Sequence, residues 1–496
     1  MAKSYLEYMN EFTTDSIYKG LLAQGLFCEK LPPVFSSESF FHYCESLTTH
    51  FEDKPKKYVS FSSMRNINVP RQFGIPNPMA YQRLCRCLAD NWSHLIRHFD
   101  AKTSSQNYKV SRIHVRKLHG SERIFKMSYN NWMADGSPEP DLLIGAKFLV
   151  KADIATCFPS MYTHALPWAL VGKSVAKNNR VKSEWFNQID HFATQIKDGE
   201  THGFLIGPDT SNVLSEIILT CVDFELVGQG WKFIRNIDDY SCFVSSYEEG
   251  QRFLVELNKQ LRSYDLLLNH KKTEILQLPI AAVEQWVRQI NSVDTLSKNA
   301  KMNYLQVRAY IDQAIELMKS NKNDAAILNY AIKVLKNKRL TDNARLYCYK
   351  TFMHLAIIYP YLVPLLEMNV FKAYRVKRSD IMLFTQHLFD ISIKLHNFES
   401  AYFAIYYAIK GGFTLNNLTS DIAIKTEDCL VLLFAYKYFE KNGDIKSVKA
   451  LKKHARMLKK NDFDDFWIFV YEILPKSDLP GDWKPMKGNG ITFLTI

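Results

Sequence analysis

The sequence has no C-x-x-C pair. Its nine cysteines are scattered, and the two nearest, Cys85 and Cys87, lack the spacing of a zinc knuckle. An odd number without a framework excludes a disulfide scaffold and fits a reducing compartment. The opening residues, Met1-Ala2-Lys3-Ser4-Tyr5, have no apolar core of a secretory signal. Long hydrophobic runs are missing too. The most membrane-like stretch, residues 352–371, contains His354, Pro360, Pro364 and Glu367, and so reads as a buried or kinked helical hairpin. No low-complexity tract signals disorder. These absences predict a soluble, cytoplasmic protein with no membrane partner.

What is present is an ordinary folding composition. The chain has 496 residues, 47% of them hydrophobic, which suffices for roughly two to four domains with real cores. Its net charge of +12 favours an acidic partner. Nucleic acid is the natural one, because cations that neutralise phosphates release counterions.

The pattern changes twice along the chain. Residues 1–147 are mixed and rich in Pro, Arg and aromatics. They include an extended, proline-punctuated run at 69–78 and then a helix with Tyr81, Leu84, Leu88 and Trp92 at helical spacing. Residues 148–280 alternate short strands with helices, an α/β unit. Residues 281–496 read as almost continuously helical, with apolar stripes such as Ile381, Phe384, Leu388 and Ile391, or Leu430, Leu433, Phe434 and Tyr438. Short breaks between these helices predict stacked helical hairpins of the solenoid type, without a consensus repeat. The tail from Pro480 to Ile496 reads as extended and docked on the body. The expected fold class is therefore α/β plus all-α.

Chemistry concentrates at Asp238 and Asp239. They lie between two apolar runs, Trp231, Phe233, Ile234 and Tyr240, Phe243, Val244, which read as the strands of a hairpin. Adjacent like charges repel, and turn chemistry alone favours Asn-Gly or Asp-Gly there. Asp153 ends another strand-like run, Phe148-Leu149-Val150-Lys151-Ala152. Three carboxylates on neighbouring strand ends are hard oxygen ligands suited to Mg²⁺ or Mn²⁺.

Four segments, read in order, resemble the palm of reverse transcriptases. They are Asp153-Ile154-Ala155-Thr156-Cys157-Phe158, the stretch from Gly207-Pro208-Asp209-Thr210 to Ser215, Asn236-Ile237-Asp238-Asp239, and Asn269-His270-Lys271-Lys272-Thr273. Arg71, Ile75-Pro76, Tyr81 and Leu84 resemble the start of that family's fingers. More narrowly, residues 161–168, Gly172-Lys173-Ser174, residues 177–180 and Thr201-His202-Gly203 are similar to the abortive-infection (Abi) polymerases of bacteria. That group replaces the thumb with a HEAT-like helical-repeat domain. The resemblance implies fingers in 1–147, palm in 148–280 and the repeat domain in 281–496.

It also implies roles. Asp153, Asp238 and Asp239 would be catalytic, holding two Mg²⁺ or Mn²⁺ ions in a metal set that includes Ile154. Phe158 would pack under the incoming sugar and exclude a 2′-hydroxyl. Lys272 would contact phosphates or protonate pyrophosphate, or else be a solvated strand lysine. Arg112 and Arg116, in a basic stretch with Lys117, would clamp the triphosphate. The basic segment 172–180 reads as a nucleic-acid or subunit contact, or as a plain exposed loop. His164 and His202 read as structural histidines.

Two departures stand out. Asn236 replaces the family's usual aromatic, which packs near the primer end. Asp209-Thr210 stands where the family commonly has Gln-Gly, and an acid beside a template strand is electrostatically unfavourable. Abi polymerases as a group make DNA without a template, primed from a protein hydroxyl. Tyr5, Tyr8 and Tyr18, in an N-terminal segment read as mobile, are the candidate primers, with Tyr8 favoured. The implied protein uses dNTPs, carries covalently attached single-stranded DNA and forms a homo-oligomer. A conventional RNA-templated reverse transcriptase, retron- or intron-like, is the alternative; a non-catalytic nucleic-acid-binding scaffold is another, disfavoured because an acidic cluster without metal is costly.

Overall fold

A computed structural model describes residues 3–65, 69–117, 123–125, 136–281, 283–296 and 301–496. Tyr58–Met64 (β1) folds back on Pro70–Pro76 (β2) as an antiparallel ribbon, with Phe61 opposite Phe73. A second, four-stranded sheet contains Phe148–Asp153 (β3), Phe233–Asn236 (β4), Asp239–Val244 (β5) and Glu274–Gln277 (β6). Its order is β4-β5-β3-β6, with every neighbouring pair antiparallel. β3 lies between two partners, so both of its edges are satisfied and its chain end is held in register. Leu149, Val150 and Ala152 are buried, as the near-continuous apolar run of a covered strand requires.

Helices back this sheet. The helix Tyr247–Arg262 begins at Ser246, whose side chain accepts from the Glu249 amide. It has Glu248 and Glu249 in its first turn and Lys259 and Arg262 in its last, all favourable to its dipole. Phe253, Leu257 and Leu261 form its buried face. Gly250 sets how closely it lies: a Cβ there would stand 3.1 Å from Val150 and 3.2 Å from Ile275. The helix Asp209–Gly228 is buried on nearly all sides, so its apolar residues show no single stripe.

The helical region does not stand apart. Arg378–Lys394 packs on Phe398–Gly411, which packs on Cys429–Lys441, which meets both Ile445–Asn461 and Trp467–Ile473. From there contacts return to the first hundred residues. Trp467 Nε1 donates to the Ile75 carbonyl at 3.3 Å, and the Met64 amide donates to the Glu399 carboxylate at 2.7 Å. The tail differs in part from the sequence expectation, because Trp483–Gly488 is helical. Beyond it the chain is extended and docks: Ser36 N donates to the Phe493 carbonyl at 3.0 Å and Thr495 N to Val34 at 2.8 Å. The apolar core accordingly runs from Tyr5 to Leu494 as one cluster. Asp342–Ile358 ends before Pro360, where a 3₁₀ turn, Pro360–Leu365, takes over. No described helix is long and apolar enough to cross a membrane.

Candidate active site

β4 and β5 are joined by two residues, Ile237 and Asp238, with Asn236 paired to Asp239. Ile237 has φ 57°. For a β-branched residue this left-handed conformation costs on the order of 1–2 kcal/mol. Two donors hold the turn in place. Arg235 Nη1 donates to the Ile237 carbonyl at 2.9 Å, and the Ile154 amide donates to the Asp238 carbonyl at 3.1 Å. On the other side of β5, Asp153 is the direct cross-strand partner of Asp239. Like charges set opposite each other destabilise a sheet, and here a third carboxylate stands in the adjoining turn.

Asp153 is 4% exposed and fully engaged. Its Oδ1 accepts from Asn269 Nδ2 at 2.8 Å and its Oδ2 from Lys272 Nζ at 2.7 Å. The Asn269 amide also donates to the Asp153 carbonyl at 2.7 Å. The 3₁₀ turn His270–Lys272 is capped by Asn269, which explains how one short segment delivers both donors. Lys272 thus pairs with Asp153 while most of its side chain stays in solvent. Burial raises the Asp238 carboxyl above its ordinary range, the Asp153 charge adds to this, and Lys272 and Arg71 oppose it. The Asp239 carboxyl is pushed up to about 7, first by burial and then by the charges of Asp238 and Asp153.

Among the described residues, no group of three or more His, Cys, Asp or Glu side chains is arranged as a ready metal cage. The donor set still suits a hard divalent cation. Asp238 and Asp239 hold protons more tightly than isolated carboxylates, and a cation beside them would relieve the repulsion. Ile154, adjacent to Asp153, is 1% exposed and fixed through its own amide.

Behind the turn lies a buried ionic network that sequence reading missed. Arg235, 0% exposed, donates to Asp223 through Nε and Nη2 at 2.7–3.0 Å and to Glu216 through Nη1 and Nη2 at 3.1–3.2 Å. Tyr5 donates to Glu216 at 3.1 Å. Burial lifts the Asp223 carboxyl to about 6 against the pull of Arg235. A signal was available: Glu216 and Asp223 lie two helical turns apart, on one face of a helix whose middle, Ile217-Ile218-Leu219, is apolar. Arg71 on β2, read from the sequence only as part of the start of the fingers, is with Lys272 a cation that opposes the rise of the Asp238 carboxyl.

Several expectations are corrected. The N-terminal segment is docked, not mobile: Tyr5, Tyr8 and Tyr18 are 3%, 7% and 2% exposed. Gln82 donates to the Tyr18 hydroxyl at 2.9 Å, and the Arg86 guanidinium lies 3.7 Å over its ring. The Tyr8 ring packs against His114 and Lys109. Arg112 and Arg116 are 5% and 3% exposed, not open cations. Arg112 Nη2 donates to the Gly136 carbonyl at 2.8 Å and Arg116 Nη2 to the Arg112 carbonyl at 3.1 Å. Guanidinium groups buried this deeply need such acceptors. Their segment extends the sheet edge, with Arg112 N donating to the Arg235 carbonyl at 2.8 Å. Asp209 does not face outward either. It is 6% exposed, its amide donates to the Gly25 carbonyl, and a Cβ on Gly25 would meet the Asp209 Cβ at 2.8 Å. Phe158, on the short helix Cys157–Ser160, keeps 9% of its surface open.

No family model and no curated protein matches the sequence. Among solved structures, apo telomerase from Candida tropicalis truncated from its C-terminal domain aligns with 50% of this chain and 55% of its own, at 12% identity and a TM-score of 0.30. Apo telomerase from the same organism aligns over 84% of this chain and 72% of its own, at 11% identity and a TM-score of 0.34. Telomerase from Candida albicans in complex with the TWJ fragment of telomeric RNA covers 84% and 66%, at 12% identity and 0.30. The chain thus spans little more than half of the first of these. Overlaps of this quality do not by themselves define a common fold.

Proposed function

We propose that the chain is a DNA polymerase of reverse-transcriptase type, a nucleotidyltransferase that adds deoxynucleotides to a tyrosine of its own chain without a template. Its setting would be abortive-infection antiphage defence in the bacterial cytoplasm, as a homo-oligomer. The observation that carries the chemistry is the pairing of Asp153 with Asp239 beside Asp238, in a strained turn clamped at both carbonyls. Two Mg²⁺ or Mn²⁺ ions held by these aspartates, with Ile154 alongside, would activate the attacking hydroxyl and neutralise the triphosphate.

The chain's own residues prepare that site. Asn269 and Lys272 hold the Asp153 carboxylate in one orientation. The Lys272 side chain is 58% exposed, so its ammonium can move from Asp153 to a phosphate. The accessible part of Phe158 is suited to bear on a sugar and to disfavour a 2′-hydroxyl. The division into fingers (1–147), palm (148–280) and helical domain (281–496) is part of the same reading.

Template independence is supported by the loop before the helix Asp209–Gly228. Gly207 faces Gly74, Phe73 and Cys28, and Gly25 covers Asp209. Asp209, the acid that would stand beside a template strand, is thereby buried rather than presented to one. Priming requires a phenol to reach the aspartates. Burial raises the Tyr5 and Tyr18 hydroxyls above the ordinary phenol range, and both are engaged in hydrogen bonds. Either must undock before it can act, and Tyr8 must leave its packing against Lys109. The test is product sequence. Purified protein with Mg²⁺ and all four dNTPs should yield DNA of the same base composition with or without added RNA. Product that copies the added strand supports a templated reverse transcriptase instead.

A further inference from the structure

Two cavities, of about 710 and 560 Å³, lie side by side and share Trp168 in their walls. Neither is lined by Asp153, Asp238 or Asp239. The first carries Arg97, Lys102 and Lys173, and the second carries Lys177, Arg180 and Lys182. Against these six cations stand only two carboxylates, Glu225 and Asp190. Asp190 is 9% exposed, with its Oδ2 on His164 Nδ1 at 2.5 Å and its Oδ1 buried.

Local structure explains the concentration of charge. Gly172, at φ 86°, breaks the helix Ala165–Val171 from Lys173–Asn178 and turns the basic helix outward. Like charges gathered this densely repel one another, and a polyanion would offset the cost. Aromatic rings are interleaved with them. Lys173 Nζ lies 3.9 Å from the Trp168 ring, Tyr162 meets Trp168 edge-on at 5.8 Å, and Trp185 stacks on His94 at 4.5 Å.

We propose that this surface binds a single-stranded nucleic acid, with its phosphates on the six cations and an unpaired base on Trp168. Cations tracking a backbone beside aromatic platforms are how sequence-tolerant strand binding is built. Trp168 is half-buried in the cavity walls, so a base held in a duplex cannot reach its face. The assignment goes beyond the polymerase reading and does not depend on it, since strand binding needs neither metal nor dNTP.

The test uses full-length Asp238→Asn protein in EDTA and a fluorescein-labelled oligothymidylate of about 15 nucleotides, followed by anisotropy between about 50 and 200 mM NaCl. Lys177, Arg180 and Lys182 are exposed, so their combined change to alanine leaves the core intact. That variant should flatten the slope of log K against log salt by about 2, three phosphate contacts at about 0.7 each. Trp168→Phe should keep most of the affinity, and Trp168→Ala should lose about tenfold. An unchanged slope in the triple variant overturns the proposal, as does equal binding of a duplex of the same length. Loss of self-association in sedimentation with unchanged strand binding would assign the surface to a second copy of the chain, and overturns it too.

Discussion

Asparagine in place of Asp209 should stabilise the protein at pH 8 and destabilise it at pH 4. Asp209 is 6% exposed, and its Oδ2 has no hydrogen-bond partner among the described residues. Burial pushes its carboxyl from 3.8 to about 7, with Arg123 opposing. Between those values the folded chain keeps a proton that the unfolded chain has released. Stability therefore falls as pH rises through this window, and the full penalty is present above pH 7. About three pH units at about 1.36 kcal/mol each give about 4 kcal/mol. Asparagine escapes that penalty, but its amide carries one more donor than the protonated acid, and leaving that N–H unpaired costs about 1–3 kcal/mol. The net expectation is a gain of about 2 kcal/mol at pH 8 and a loss of about 1–3 kcal/mol at pH 4. For 496 residues the unfolding entropy is about 1 kcal/mol/K, so the gain moves Tm by only about 2 °C. Urea titrations at a series of pH values are the better assay. Parallel stability profiles for Asp209→Asn and the parent, with no crossing, refute the reasoning.

The other predictions concern the aspartates and their support. Arg235→Leu strands Glu216 and Asp223 without a cation and should cost about 3–5 kcal/mol in denaturant titration; Arg235→Lys, unable to span both acids and the Ile237 carbonyl, should keep the fold by circular dichroism yet lose nucleotide incorporation. Asp239, with its carboxyl at about 7, is part-protonated at pH 6.5. Mg²⁺ binding should release a fraction of a proton there and none at pH 8.5, read by calorimetry in buffers of different ionisation enthalpy. Phe158→Ala should raise ribonucleotide use relative to deoxynucleotide use by about tenfold or more in competition assays, with little change in dNTP incorporation.

The meeting of the three aspartates was legible because each ends or begins an apolar run, and antiparallel pairing puts such ends together. What escaped depends on contacts distant in sequence. Asn269 and Lys272 were visible as a motif, but their docking on Asp153 follows from a β3–β6 pairing across more than a hundred residues. Asp209 was read as an acid beside a template strand, whereas in the fold it is buried, with Gly25 closely approached. Local pattern likewise made the first residues look loose. Ser4 and Thr13 each form a capping box, a signal that could have been used. The helical character of the last two hundred residues was plain, yet their return onto β1 and β2 through Trp467 and Glu399 has no local signature.

The three aspartates are proposed to direct nucleotidyl transfer onto the protein itself. Intact mass of the purified chain, before and after incubation with dNTPs and Mg²⁺, tests it most directly, with nuclease-trimmed peptides locating the attachment. A ladder of added deoxynucleotide masses ending on a tyrosine, absent in Asp238→Asn, is the expected result. A parent chain of unchanged mass, or equal addition in Asp238→Asn, contradicts it.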